Sequence, residues 1–205
     1  MMPDGWTSIP FPGGPLKGAN ALLVFIDRAL QLDPEGKPAD PANMRAVAVV
    51  GLGKQEGGDA VRLYVFRIYT TDAAPDPYKN AVASDIARST SVSGPANAGR
   101  MRKEEWTIAP DGGGAMSLSL DFTSGKRGWS SDEARPFSNT DPEFSRIYRY
   151  NQLVDLVMSA PVGKPMGGNF EFSSTIPEMS KIFDGTQELV AILDVPVYVR
   201  EVYLP

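Results

Sequence analysis

The chain contains no cysteine and no histidine. Without cysteine there is no disulfide framework, no thiolate nucleophile and no cysteine-ligated metal. Without histidine there is no Ser-His-Asp or Cys-His triad, no HExxH zinc site and no imidazole base. A basic surplus is missing too: the net charge is −5, which argues against a nucleic-acid partner. No apolar run approaches the roughly 20 residues of a membrane span. Residues 1–18, with Pro3, Pro10, Pro12 and Pro15, lack the apolar centre of a signal peptide. A soluble, cytoplasmic protein with no membrane partner is expected. No motif asks for a metal or a cofactor. The Asp-rich loops at 72–76 and 132–141 lack the ligand spacing of a calcium loop. In Gly51-Leu52-Gly53, Glu56 stands where a dinucleotide fingerprint needs its third glycine. Catalysis, if any, would be metal-independent and rest on Tyr, Arg or carboxylates.

What the chain does have is β-forming sequence cut by turns. Its 205 residues are 42% hydrophobic, enough to bury a core in one domain. Gly 20 and Pro 18 imply many turns. Residues 1–18 read as an extended Pro/Gly-rich arm. Its Trp6, Ile9 and Phe11 either pack it onto the domain or offer it to a neighbouring subunit of a homo-oligomer. Residues 19–205 read as a single β-rich domain. The stretch around which it is organised is Val61–Thr71, the longest run of β-formers. Simple alternation puts Val61, Leu63, Val65, Arg67 and Tyr69 on one face, and Arg62, Tyr64, Phe66, Ile68 and Thr70 on the other. Both faces are largely apolar, so the strand is expected to be covered on both sides. Arg67 then needs an acid such as Asp194, or an anionic ligand.

Other segments follow from periodicity. Val24–Ile26 reads as a strand, residues 33–43 as a loop, and Met44–Leu52 as the hairpin partner of Val61–Thr71. Residues 78–91 read as a short helix and 93–99 as a loop. Lys103–Ile108 and Met116–Phe122 form a hairpin through the Pro110–Gly114 turn, with Trp106 and Ile108 on one face. Residues 130–143 read as a polar loop. Asp141-Pro142-Glu143 has the residue types of a helix start, and the spacing predicts a helix over 142–158. Arg146–Tyr150 also alternates like a strand. Asn169–Ser173 is a short strand, and Leu189–Leu204 a long one in which Pro196 must sit at a bulge, bend or edge. The fold class expected is mainly β: an antiparallel barrel or two-sheet sandwich with one or two short helices.

Two arginine–aromatic groupings stand out: Arg67 with Tyr64 and Tyr69, and the cluster Arg146, Tyr148, Arg149, Tyr150. A guanidinium suits bidentate contact with a carboxylate or phosphate, and aromatic rings supply apolar walls. The expected ligand-binding residues are Arg67, Tyr64, Tyr69, Trp106, Tyr148 and Arg149. Glu104 and Glu105 are adjacent on a strand and point to opposite faces, so they cannot address one reacting bond. The strand–proline–strand rhythm after Ile182-Phe183-Asp184-Gly185 is similar to the closing strands of acetoacetate decarboxylase-like barrels. That family's adjacent lysine pair has no counterpart, since no two lysines adjoin. The functional expectation is a small, partly apolar or aromatic organic molecule bound in an internal pocket, with or without metal-free lyase, isomerase or cyclase chemistry. The alternative is a structural or assembly subunit that uses the arm at 1–18 for oligomer contacts.

Overall fold

The period-two pattern dominates the chain. A computed structural model describes residues 1–39, 43–95 and 99–205. Parts of the loops expected at 33–43 and 93–99 lie outside those residues. The strands are β1 (Trp6–Ile9), β2 (Leu22–Arg28), β3 (Met44–Gln55), β4 (Val61–Thr70), β5 (Ala81–Ser93) and β6 (Met101–Pro110). They continue as β7 (Met116–Thr123), β8 (Gly128–Ala134), β9 (Pro136–Ser138), β10 (Ile147–Ser159), β11 (Gly168–Ser174) and β12 (Ala191–Tyr203). Nine of them form one sheet, which curls into a half-barrel along β1-β3-β4-β5-β6-β7-β11, with β2 on β3 and β9 on β4. The other three form a second sheet, β12-β10-β8. The fold is therefore mainly β, as the patterning predicts.

Three expectations are corrected. Residues 78–91 are not helical: β5 runs from Ala81 and makes a ten-pair antiparallel ladder with β6. Ser84 and Ile86 face in while Asp85 and Ala87 face out, a strand pattern that the Ala-rich spacing had masked. Residues 142–158 are not a helix either. Phe144 N–H closes a single turn onto the Asp141 carbonyl (2.8 Å), and β10 then runs from Ile147 between β8 and β12. Ladder partners on both sides outweigh helical spacing, because β preference is set by neighbours. The polar stretch 130–143 contributes β8 and β9 rather than only a loop. Among the described residues, the helices that do exist are single 3-10 turns at Gly14–Leu16 and Pro177–Lys181. Nor is the pairing all antiparallel, since β5 and β9 each run parallel to β4 over three residue pairs.

The arm lies in the chain's own sheet, with Trp6–Ile9 paired to Leu52–Gln55. Trp6 meets the Tyr64 ring edge-on at 5.2 Å. Pro196 sits on an edge strand beside a register shift, as a residue without an N–H requires.

A bulge redistributes the side chains of β4. Val49 pairs with Arg67 but Val50 pairs with Val65, so Phe66 is an extra residue. Simple alternation fails there. Tyr64, Phe66 and Tyr69 all join one buried cluster, whereas Leu63, Val65 and Ile68 pack in another. The strand is covered on both sides. The first cluster draws on Val47, Tyr69, Ile86, Trp106, Ile108 and Met116, from strands spread across the sheet, and therefore lies inside the curl. Ile176 and Met179 close it from the 3-10 segment. The second cluster joins the other face of β3 and β4 to Tyr148 of the smaller sheet.

Gly51 and Gly53 have a packing role. A Cβ on Gly51 would lie 2.8 Å from Phe66 Cε2 and 3.0 Å from the Asn20 carbonyl oxygen. One on Gly53 would lie 3.0 Å from Tyr64 Cε2. The glycines make room for two aromatic rings on the neighbouring strand. Gly51→Ala is expected to destabilise the protein by about 1–3 kcal/mol through overpacking. Urea unfolding would measure this, and an unchanged midpoint would refute it.

Candidate anion-binding site between the two sheets

The six residues expected to bind a ligand fall in three places. Arg67 and Tyr69 converge on Glu178 of the 3-10 turn Pro177–Lys181. Arg67 Nη2 donates to Glu178 Oε2, and the Tyr69 hydroxyl donates to Glu178 Oε1 at 2.7 Å. Burial pushes the Tyr69 hydroxyl far up, and the Glu178 contact adds to it. The acid that holds Arg67 is thus Glu178. Asp194 instead lies 3.2 Å from Arg102. Tyr64 is fully buried between Trp6 and Phe137. Trp106 packs on Phe25, with the Arg88 guanidinium 5.2 Å from its ring. Tyr64, Tyr69 and Trp106 belong to the core inside the curl, and Arg67 lies at its rim.

Tyr148 and Arg149 are neighbours on β10 and therefore face opposite ways. Arg149 is on the outer face, where it pairs with Glu133 at 2.9 Å and lies over the Tyr203 ring. Tyr148 points between the sheets, and a polar group assembles around it. β2 ends at Arg28, a buried arginine. The chain then runs onto the edge of β12: Leu32 N–H donates to the Arg200 carbonyl (3.0 Å) and Val202 N–H to the Leu32 carbonyl (3.1 Å). This bridge brings Gln31 between two guanidiniums. Its Oε1 accepts from Arg28 Nη1 at 2.6 Å, Arg200 Nη2 at 2.8 Å and Arg200 Nε at 3.1 Å. Arg200 also lies 4.4 Å above the Tyr148 ring. The Tyr78 hydroxyl hydrogen-bonds the Tyr148 hydroxyl at 2.9 Å, and Phe144 stacks edge-on against Tyr78.

Arg28 and Arg200 lie close together, and the Asp72 carboxylate offsets part of that charge at Arg28. Burial, and then the like charge of Arg200, lowers the Arg28 pKa to about 10. Arg28 stays protonated at neutral pH, and the shift registers chiefly its burial and then the nearby Arg200 charge. Arg200 has no carboxylate partner among the described residues; its side-chain contacts are the neutral Gln31 oxygen and the Tyr148 ring. Arg146 stands close enough to act on Tyr78, and its buried Nε–H has no hydrogen-bond partner among the described residues. These arginines sit in a chain of net charge −5. The Arg200 fork above an aromatic ring suits a carboxylate or phosphate carried on an apolar or aromatic body.

Sequence reading reached Tyr148 and Arg146 but missed Arg28, Gln31 and Arg200. The one local signal was the polar pair Asp27-Arg28 interrupting an apolar run. Gln31 and Arg200 are 169 residues apart in sequence, so no spacing motif could connect them. Among the described residues, no group of three or more Asp or Glu side chains is placed to hold a metal ion, and no helix is long and apolar enough to cross a membrane. No family model, curated protein or solved structure matches this chain.

Proposed function

We propose that this protein binds a small, partly aromatic organic anion, most simply an aryl carboxylate, in the cleft between its two sheets. The observation that supports this is the Arg200 guanidinium, which shares one neutral amide oxygen with Arg28 above the Tyr148 ring. A ligand carboxylate would accept from the guanidinium in place of Gln31, and its ring would lie toward Tyr148 and Tyr78. Burial, followed by the neighbouring Tyr148, raises the Tyr78 pKa far above its ordinary value, so that hydroxyl keeps its proton and is no base.

Benzoate, phenylacetate and inorganic phosphate are the probes. A ligand that binds only the folded state stabilises it by about 2.7 kcal/mol at a hundredfold excess over Kd. Thermal unfolding is expected to move up with benzoate or phenylacetate, less with phosphate, and not at all in Arg200→Gln. If none of the three raises the unfolding temperature, or if the rise persists in Arg200→Gln, the proposal fails.

A further inference from the structure

The outer face of the smaller sheet carries a second, unrelated arrangement. The β8–β10–β12 ladder places Trp129, Leu153 and Val197 in one cross-strand row. Trp129 is 62% exposed, unusual for the largest apolar side chain. The next row on the same face pairs Ser131 with Asn151, whose side chains hydrogen-bond at 2.6 Å. The row after that pairs Glu133 with Arg149 at 2.9 Å. Successive rows lie about 7 Å apart, two residues of strand rise. The two polar rows line an open trough of about 430 Å³, together with Glu201.

The polar groups are held in place before any ligand arrives. Glu133 is fixed by Arg149, and Arg149 lies over the Tyr203 ring at 4.6 Å. Glu201 accepts from the Tyr203 hydroxyl at 2.6 Å. The surface thus offers one flat apolar shelf followed by planar carboxylate, amide and guanidinium groups. An apolar ligand would match only the first row. An anion would meet Glu133 and Glu201 against the single Arg149. A ligand with apolar C–H faces and a rim of hydroxyls, repeated at short intervals, matches both parts.

The geometry points to a binding site for a neutral oligosaccharide along β8, with one pyranose ring stacked on Trp129 and the next hydrogen-bonded by Asn151, Glu133 and Arg149. The site is distinct from the anion cleft, because Tyr148 and Arg200 face inward where Arg149 and Glu201 face outward.

The test uses the full chain with cellotetraose, chitotetraose, laminaritetraose and mannotetraose, read by tryptophan fluorescence and calorimetry. At least one is expected to give a saturable fluorescence change. Trp129→Ala and Asn151→Ala should each weaken binding about tenfold or more, as central contacts of a small site do. Both side chains are exposed, so unchanged thermal unfolding is expected and would separate lost binding from lost folding. Benzoate should not compete. The inference is overturned if no tetrasaccharide gives a saturable signal, if the signal is undiminished in Trp129→Ala, or if benzoate displaces the sugar.

Discussion

Glu104→Gln is expected to destabilise the protein by about 3–5 kcal/mol, the range for removing one partner of a buried ion pair. Glu104 is only 6% exposed, yet it is the hub of four contacts. Arg88 donates twice, at 2.9 and 3.0 Å, Arg102 at 2.8 Å and Thr90 at 2.7 Å. Arg88 reaches on to Asp27 at 3.0 Å, which ties β2 to the β5–β6 hairpin. Removing the hub charge leaves the buried Arg102 guanidinium and the half-buried Arg88 short of compensation. Burial alone would raise the Glu104 pKa, but the hydrogen bonds from Arg88, Arg102 and Thr90 outweigh it and hold the carboxyl below its usual range. A depressed folded pKa stabilises the protein fully above the unfolded carboxylate range, and that stability is lost as pH falls through the folded value. Asp194 shifts the other way, raised by burial against the pull of Arg102. Urea unfolding of both proteins across acidic pH isolates the Glu104 contribution as their difference. The gap should be widest near neutrality and close in acid. A gap that stays constant with pH would refute the assignment.

Met179→Ala carries the second large effect, about 2–5 kcal/mol from lost transfer energy and the cavity left behind. Met179 has no exposed surface and sits with Ile176 against Tyr69, Ile108 and Met116 inside the curl. Its segment is held by Glu178, which accepts from Arg67 and Tyr69. The ionic contact at the rim and the methionine beneath it act together. Glu178→Ala should therefore loosen the same segment at smaller cost, because Arg67 and Glu178 are each more than a quarter exposed. Urea midpoints order the two variants. A Met179→Ala midpoint within error of the parent would mean that the segment is not part of the core.

These effects trace back to how much of the molecule its residues announce. The hairpin of β6 and β7 is legible because Met116, Leu118, Leu120 and Phe122 alternate with polar residues, and a Gly-rich turn precedes them. The two misread helices had mixed periods, and partners distant in the chain resolved them as strands. Arg67 was legible as a residue in need of a partner. That the partner is Glu178, 111 residues away, was not. The bulge at Phe66 was hidden for a related reason: an extra residue shows only against the strand it fails to match.

Composition alone determined that histidine and cysteine chemistry are closed to this protein, and period-two patterning determined its β class. Tertiary structure alone decided which arginines meet. Arg28 and Arg200 are placed side by side by the bridge between Leu32 and β12, and that bridge is made of backbone hydrogen bonds. Backbone groups are the same in every residue, so such a contact leaves little trace in the order of side chains.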